Sequence, residues 1–183
     1  KSIKKDVSLK PKYESLKNRT YIVAGASRGI GFNIAKKLAL ADANVTIVGK
    51  TISEHPKLEG TIYTAAENIT EATQKSNCMG IPCDVRVSQD IDHVIRETLD
   101  VYGKIDGVIL NASALCLNST LEQTEKEIDL MSSININGTF LMGSKCLKYI
   151  QKSSHGSVLL IAPPLNMIYN DEWWINHLYY SMS

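Results

Sequence analysis

The sequence predicts an α/β protein, a doubly wound parallel sheet with helices on both faces, on three observations. Short β-branched runs that are apolar throughout alternate with segments of helical period, the pattern of buried parallel strands joined by crossover helices. A glycine-rich turn separates the first such run from the first helical segment. The 44% hydrophobic and 21% charged residues are those of an ordinary globular chain, and 183 residues suffice for one cored domain.

The elements follow in order. Thr20–Ala24 (TYIVA) is a buried strand, and from Gly29 to Ala41 the apolar residues Ile30, Ile34, Leu38 and Ala41 fall at helical spacing. Asn44–Val48 is the second strand, and Lys50–Gly60 is the longest irregular stretch, leading to a helix that begins near Ile62. Met79–Cys83 is the third strand. Ser88–Tyr102 is a helix with Ser88 as its N-cap and Ile91, Val94, Ile95 and Leu99 on one face. Gly107–Leu110 is the fourth strand, one long helix runs from about Thr124 to Gln151, and Ser157–Ile161 is the fifth strand. No internal repeat or low-complexity segment interrupts this order.

The turn after the first strand reads Gly25-Ala26-Ser27-Arg28-Gly29-Ile30-Gly31. Glycines spaced G-x-x-x-G-x-G let the backbone turn sharply and approach a pyrophosphate, and the following helix offers that anion its free N–H groups and positive dipole end. Because the glycines follow a strand and open a helix, they predict a Rossmann-type dinucleotide site. An NAD site usually carries an acidic residue at the end of the second strand to accept from the ribose 2′-OH. Here that place is Gly49, followed by Lys50, and Arg28 lies in the turn itself. Two cations and no carboxylate suit a 2′-phosphate, so the expected cofactor is NADP(H). Lys50 has the alternative of a solvated strand-end lysine. Asp84-Val85, after the third strand, is placed to meet the adenine. Asn111, after the fourth, could touch the cofactor or tie neighbouring strands.

Other features narrow the field. A net charge of +1 gives no general attraction to nucleic acid, and no apolar run approaches the roughly 20 residues of a membrane span. Cys78, Cys83, Cys116 and Cys146 lack metal-like spacing and sit in or beside apolar segments, as reduced core thiols do. His55, His93, His155 and His177 show no ligand spacing, and no metal site is expected. Residues 1–19 carry seven Lys/Arg against Asp6 and Glu14. Residues 1–17 are therefore read as a basic arm, either solvated, or the remnant of an organelle-targeting sequence or a docking arm on a partner. With the targeting reading, an intracellular location in the mitochondrion or peroxisome is expected ahead of the cytosol.

Beyond the turn, Asp84-Val85, Asn111-Ala112-Ser113 and Asn135-Ile136-Asn137-Gly138-Thr139-Phe140 together resemble the short-chain dehydrogenases/reductases. His55 to Glu67 and Pro163-Pro164-Leu165-Asn166 are shared with one subgroup of that family, and the resemblance covers about residues 18–183. It implies a carbonyl/alcohol oxidoreductase working through a Tyr-x-x-x-Lys pair. Reducing a carbonyl sends hydride to carbon while an acid protonates oxygen, and a free tyrosine with a pKa of ~10 is a poor acid at neutral pH. A neighbouring lysine lowers that pKa and binds the nicotinamide ribose. A serine hydroxyl polarises the carbonyl, and an asparagine holds a water in the proton relay. Carried onto this sequence, the acid is Tyr180 and the relay asparagine is Asn135. Tyr179 fits less well, because Ser183 rather than lysine stands four residues on. From Tyr180 the lysine would be residue 184, so the expected domain, 18–183, is a nucleotide-binding fold without its C-terminal part.

The sequence departs from the family at two further points. Leu110 stands where the first asparagine of N-N-A-G is usual, and Ile161-Ala162-Pro163-Pro164 lacks the expected serine, a proline shared with the subgroup. The leading expectation is an NADP(H)-dependent oxidoreductase for an apolar, lipid- or steroid-like carbonyl or alcohol. The alternative is a catalytically weak or inactive Rossmann-fold subunit with a structural role in a larger assembly. Tyr169, Trp173 and Trp174 could wall a substrate cleft or simply pack. Phe140, Leu141, Leu147 and Ile150 offer a helix face for homo-oligomer contact.

Overall fold

The computed structural model describes residues 15–54, 60–75, 77–163 and 171–183, with the backbone alone for 171–174, 176 and 177. Five parallel strands form one sheet in the order β3-β2-β1-β4-β5: β1 Thr20–Ala24, β2 Asn44–Gly49, β3 Cys78–Pro82, β4 Gly107–Leu110 and β5 Ser157–Leu160. Helices α1 Gly29–Leu40, α2 Ile62–Thr73, α3 Ser88–Tyr102, α4 Glu125–Met131, α5 Thr139–Ile150 and α6 Asp171–Met182, with a π-helical turn at Ser132–Gly138, complete the described elements. The expected fold class stands.

Alternation along the strands builds two cores. Ile22, Ala24, Val48, Val108 and Leu110 face α3 and α5, where Ile91, Val94, Ile95, Met142 and Cys146 meet them. Tyr21, Val23, Val45, Ile47 and Ile109 face α1 and α2, packing on Ala35, Ala39, Ile62, Ala65 and Ile69. Strands β1, β2 and β4 thus bury both faces, which is why they read as unbroken apolar runs, whereas β5 is exposed along its length. The order reverses between β1 and β4: chain order runs outward through β2 and β3 on one side and to β5 on the other. Ligands of open α/β sheets bind at the strand carboxyl ends beside such a switch point.

Four sequence expectations need correction. The N-cap of α3 is Val87, in extended conformation, and Ser88 is the first helical residue. Asp90 in that first turn accepts from the Asp84 amide at 2.9 Å, so a carboxylate ties the helix entry and the serine hydroxyl does not. The third strand begins one residue earlier, at Cys78. The long helix is not continuous: a π-helical turn, Ser132–Gly138, separates α4 from α5. In α5, Ile150 is buried and Leu141 packs on the core, so of the four residues expected on an outer face only Phe140 and Leu147 are exposed. Most of the basic arm, the segment from His55 to Glu59, and Pro164, Leu165, Asn166 and Tyr169 lie outside the described residues, as do the side chains of Trp173 and Trp174.

Candidate active site

The turn after β1 is shaped by its glycines. Gly25, at φ +70°, donates from its amide to Val48 O at 2.8 Å, and Gly29 sits at φ +62°; both are conformations that favour glycine. A Cβ on Gly31 would lie 2.4 Å from Gly25 O and 2.6 Å from Asn111 Nδ2, so the helix start and the turn touch at a distance only glycine allows. Arg28 is the N-cap of α1 but makes no side-chain capping bond, and its Nη2 instead donates to Gly60 O at 3.0 Å. The first-turn N–H groups of α1 therefore carry no side-chain cap. Ile30 projects outward at 63% exposure, and a Cβ on Gly60 would lie 3.3 Å from Ser27 O.

The carboxyl ends of β2 and β3 bring together groups far apart in sequence. Lys50 Nζ lies 3.2 Å from Asp84 Oδ2, and Arg86 donates to the same carboxylate from Nη2 at 2.6 Å and Nε at 2.9 Å. The Arg86 hydrogen bond, then Lys50, hold the Asp84 carboxyl well below the usual carboxylate range in spite of partial burial. Lys50 is thus ion-paired while its side chain stays half-exposed. Val85 is a core residue: it is buried, and a Cβ on Gly138 would come within 2.7 Å of its Cγ2. Arg86 is a cation the sequence reading missed, although its place two residues after Asp84 offered the signal. Beside it, burial, followed by the charges of Asp90 and Asp84, pushes the Cys83 thiol up to about 12, so it is no nucleophile at neutral pH.

At the switch point Asn111 Nδ2 donates to Ala24 O at 3.2 Å and Gly25 O at 3.0 Å. Of its two sequence readings the structure shows the tie between neighbouring strands. Three residues on, Ala114 exchanges two bonds with Asn135: its amide donates to Asn135 Oδ1 at 2.8 Å, and its carbonyl accepts from Nδ2 at 3.0 Å. Asn135 sits in the π turn, a widening of the helix frequent at functional sites. Its Nδ2 also donates to Ser183 Oγ at 3.0 Å, and Ser183 Oγ donates in turn to Tyr180 O at 3.3 Å. The tail that carries Tyr180 is therefore a helix docked on the π turn, with Tyr180 partly buried. Next to it, Tyr179 hydrogen-bonds Ser132, a contact the sequence reading missed.

A strand-turn-helix with these glycines, at the head of a five-stranded parallel sheet, is one half of the comparison; the other is sequence. The family of short chain dehydrogenases matches residues 19–168. The chain belongs to the short-chain dehydrogenase family. Hydroxysteroid dehydrogenase-like protein 2 of Xenopus laevis is 42% identical over 175 residues, which are 94% of this chain and 40% of that protein. The same-named human protein is 42% identical over 166 residues, 90% of this chain and 38% of its own. This short-chain dehydrogenase segment thus spans about two fifths of the length of those relatives. Among solved structures, a short chain dehydrogenase from Mycobacterium thermoresistibile superposes with a TM-score of 0.79 at 34% identity, covering 92% of this chain and 58% of that one. A Caenorhabditis elegans short-chain dehydrogenase/reductase solved with cofactor has a TM-score of 0.73 at 23% identity and shares the fold.

Short-chain dehydrogenases are nicotinamide-dependent oxidoreductases, and the residues present fit such a cofactor. The uncapped α1 start, the two positive-φ glycines and the close Gly25–Gly31 approach leave a cradle for a pyrophosphate. Gly25, Ser27, Arg28, Gly29, Ile30 and Gly31 would hold it. The departures also have structural expression. Leu110 is buried, near enough to Gly143 that a Cβ there would sit 3.2 Å from Leu110 Cδ1, so a packing residue fills the position of the family's asparagine. Ile161 donates its amide to Leu110 O at 3.0 Å, carrying the pairing one residue past β5, and Ala162 next to it has no hydroxyl to offer. No described helix is long and apolar enough to cross a membrane.

Proposed function

We propose that the protein is an NADP(H)-dependent oxidoreductase interconverting a carbonyl and an alcohol on an apolar, lipid- or steroid-like substrate. The observation that carries this reading is one hydrogen-bonded path across the sheet head. It runs from the glycine turn through Asn111 to the segment holding Ala114, then by Asn135 and Ser183 to Tyr180. A bound nicotinamide supplies or accepts the hydride. Tyr180 gives the carbonyl oxygen its proton in reduction and takes it back in oxidation, and Asn135 keeps the π turn and α6 in register beside it. With Ala162 and Pro163 in place of a serine, one positioned donor is missing, which typically costs ~10²–10³ in rate. A slow enzyme is expected. Exposed Leu115 and Met182, next to Ala114 and Ser183, favour an apolar substrate.

Lys50 and Arg28 support the choice of NADP(H), with no acidic residue at Gly49 or Lys50 to accept from a ribose 2′-OH. In this reading Lys50 leaves Asp84 for the 2′-phosphate. The test compares dissociation constants of NADPH and NADH for the parent and Lys50→Ala. NADPH is expected to bind tighter and to lose that advantage in the variant; equal affinities unmoved by the substitution would reject NADP(H). Turnover of apolar ketones by the complete protein, lost in Tyr180→Phe, tests the reaction itself. The basic arm motivates a mitochondrial or peroxisomal location, to be checked by imaging the tagged complete protein. Phe140 and Leu147, at 75% and 51% exposure, support homo-oligomer contact through α5.

A further inference from the structure

We propose that Tyr179 is a positioning residue for Tyr180, its hydroxyl joining Ser132 to fix the rotation of α6 about its own axis. The proposal rests on the reading of Tyr180 as the acid. Ser183 follows the last residue of α6 and its amide donates to Tyr179 O at 3.0 Å, so Tyr179 and Ser183 lie on one side of the tail helix, and Ser132 and Asn135 of the π turn both meet that side. The two pairs meet rung for rung. Tyr179 bonds Ser132, and one helical turn on, Asn135 Nδ2 donates to Ser183 Oγ at 3.0 Å. The residue that makes Tyr179 a poor acid by sequence, Ser183 in place of lysine, is the second rung of this ladder.

The direction of the first rung follows from proton counting. A serine hydroxyl has one proton, and Ser132 donates it to Ile128 O at 2.9 Å. Tyr179 must therefore donate its phenolic proton to Ser132. That proton is committed inside the protein, which leaves Tyr179 as a holder of the helix and not as the acid. Tyr180 follows Tyr179 by one residue, about 100° around the helix. The face that locks α6 is thus distinct from the face that presents Tyr180, and locking the first sets the aim of the second. Loss of a rung frees α6 to turn, and a long phenol side chain converts a small turn into a large displacement of its oxygen. Misplacing a reacting group by about 1 Å can cost ~10²-fold in rate.

The experiment uses the complete protein with an apolar ketone and NADPH. Tyr179→Phe and Ser132→Ala are each expected to lower kcat about ten- to a hundredfold while the KM for NADPH holds. The double variant should be no slower than either single one, and Ser132→Thr, which keeps the hydroxyl, should recover most of the loss. A parental kcat in Tyr179→Phe, or single losses that multiply in the double variant, overturns the proposal. Tyr180→Phe run in parallel separates the readings: full activity in that variant rejects Tyr180 as the acid, whatever Tyr179 does. A second readout needs neither cofactor nor turnover. In protein labelled with 3-fluorotyrosine, the ¹⁹F resonance of Tyr180, assigned by its loss in Tyr180→Phe, is expected to shift or broaden in Ser132→Ala. An unchanged resonance overturns the proposal even where no substrate has been found.

Discussion

At the scale of single residues, Asp84 has the most to do. It accepts from Arg86, pairs with Lys50, and through its own amide is held by Asp90. Its carboxyl titrates well below the usual range because the Arg86 hydrogen bond, and then Lys50, favour the charged form. The unfolded chain, with an aspartate near its ordinary pKa of about 3.9, binds more protons than the native one between the two pKa values. Asp84 therefore stabilises the fold fully above the unfolded pKa, and that contribution is lost as pH falls through the native one. The urea midpoint of the parent should fall on acidification below about pH 5, and Asp84→Asn should flatten that fall. Identical acid limbs for the two proteins would refute the assignment. The Lys50–Asp84 pair was not legible in the sequence, because parallel pairing of β2 with β3 is what sets the two side by side.

Elements show where sequence reading succeeds. Strands β1, β2 and β4 and helices α1 and α3 were legible to within a residue, because each carries a clean apolar run or stripe set by its burial. The π turn was not legible: Met131, Ile134, Leu141 and Cys146 keep a spacing that a continuous helix also satisfies. What selects the wider turn is tertiary, the exchange of two bonds between Asn135 and Ala114. Helix α6 escaped notice because Trp-Trp-Ile-Asn-His-Leu-Tyr-Tyr has no single apolar face. The glycine turn, in contrast, was readable, since chemistry and backbone strain demand the same residues. Its tightest contact makes a prediction: Gly31→Ala forces a Cβ against Gly25 O, a backbone atom that cannot swing aside. A loss of about 1–3 kcal/mol of stability is expected from such overpacking, together with weaker NADPH binding. Denaturant titration and cofactor fluorescence measure both, and an unperturbed variant would mean that the turn is looser than described.

For the molecule as a whole, the two sides of the sheet end differently. Among the described residues strand β5 is the edge beyond β4, and Val158, Leu159 and Leu160 are each about half exposed. On α5 the exposed Phe140 and Leu147 invite a second copy. Sedimentation velocity of the complete protein should show a homo-oligomer that Phe140→Asp converts to monomer; a parent already monomeric would remove α5 as the contact.

The thiols of Cys83 and Cys146, which are buried, and of half-buried Cys78 have a practical consequence of another kind. Burial pushes Cys78 up to about 12, and burial, with Cys83 nearby, does the same for Cys146. Cys78 opens β3 and Cys83 directly follows it, and Cys146 lies in α5 across the sheet from α1 and α2. An alkylating reagent at neutral pH meets almost no thiolate at these positions until the fold opens. The chain thus carries its own stopwatch: the order in which the three sulfurs become alkylated tells which layer of the sheet comes apart first.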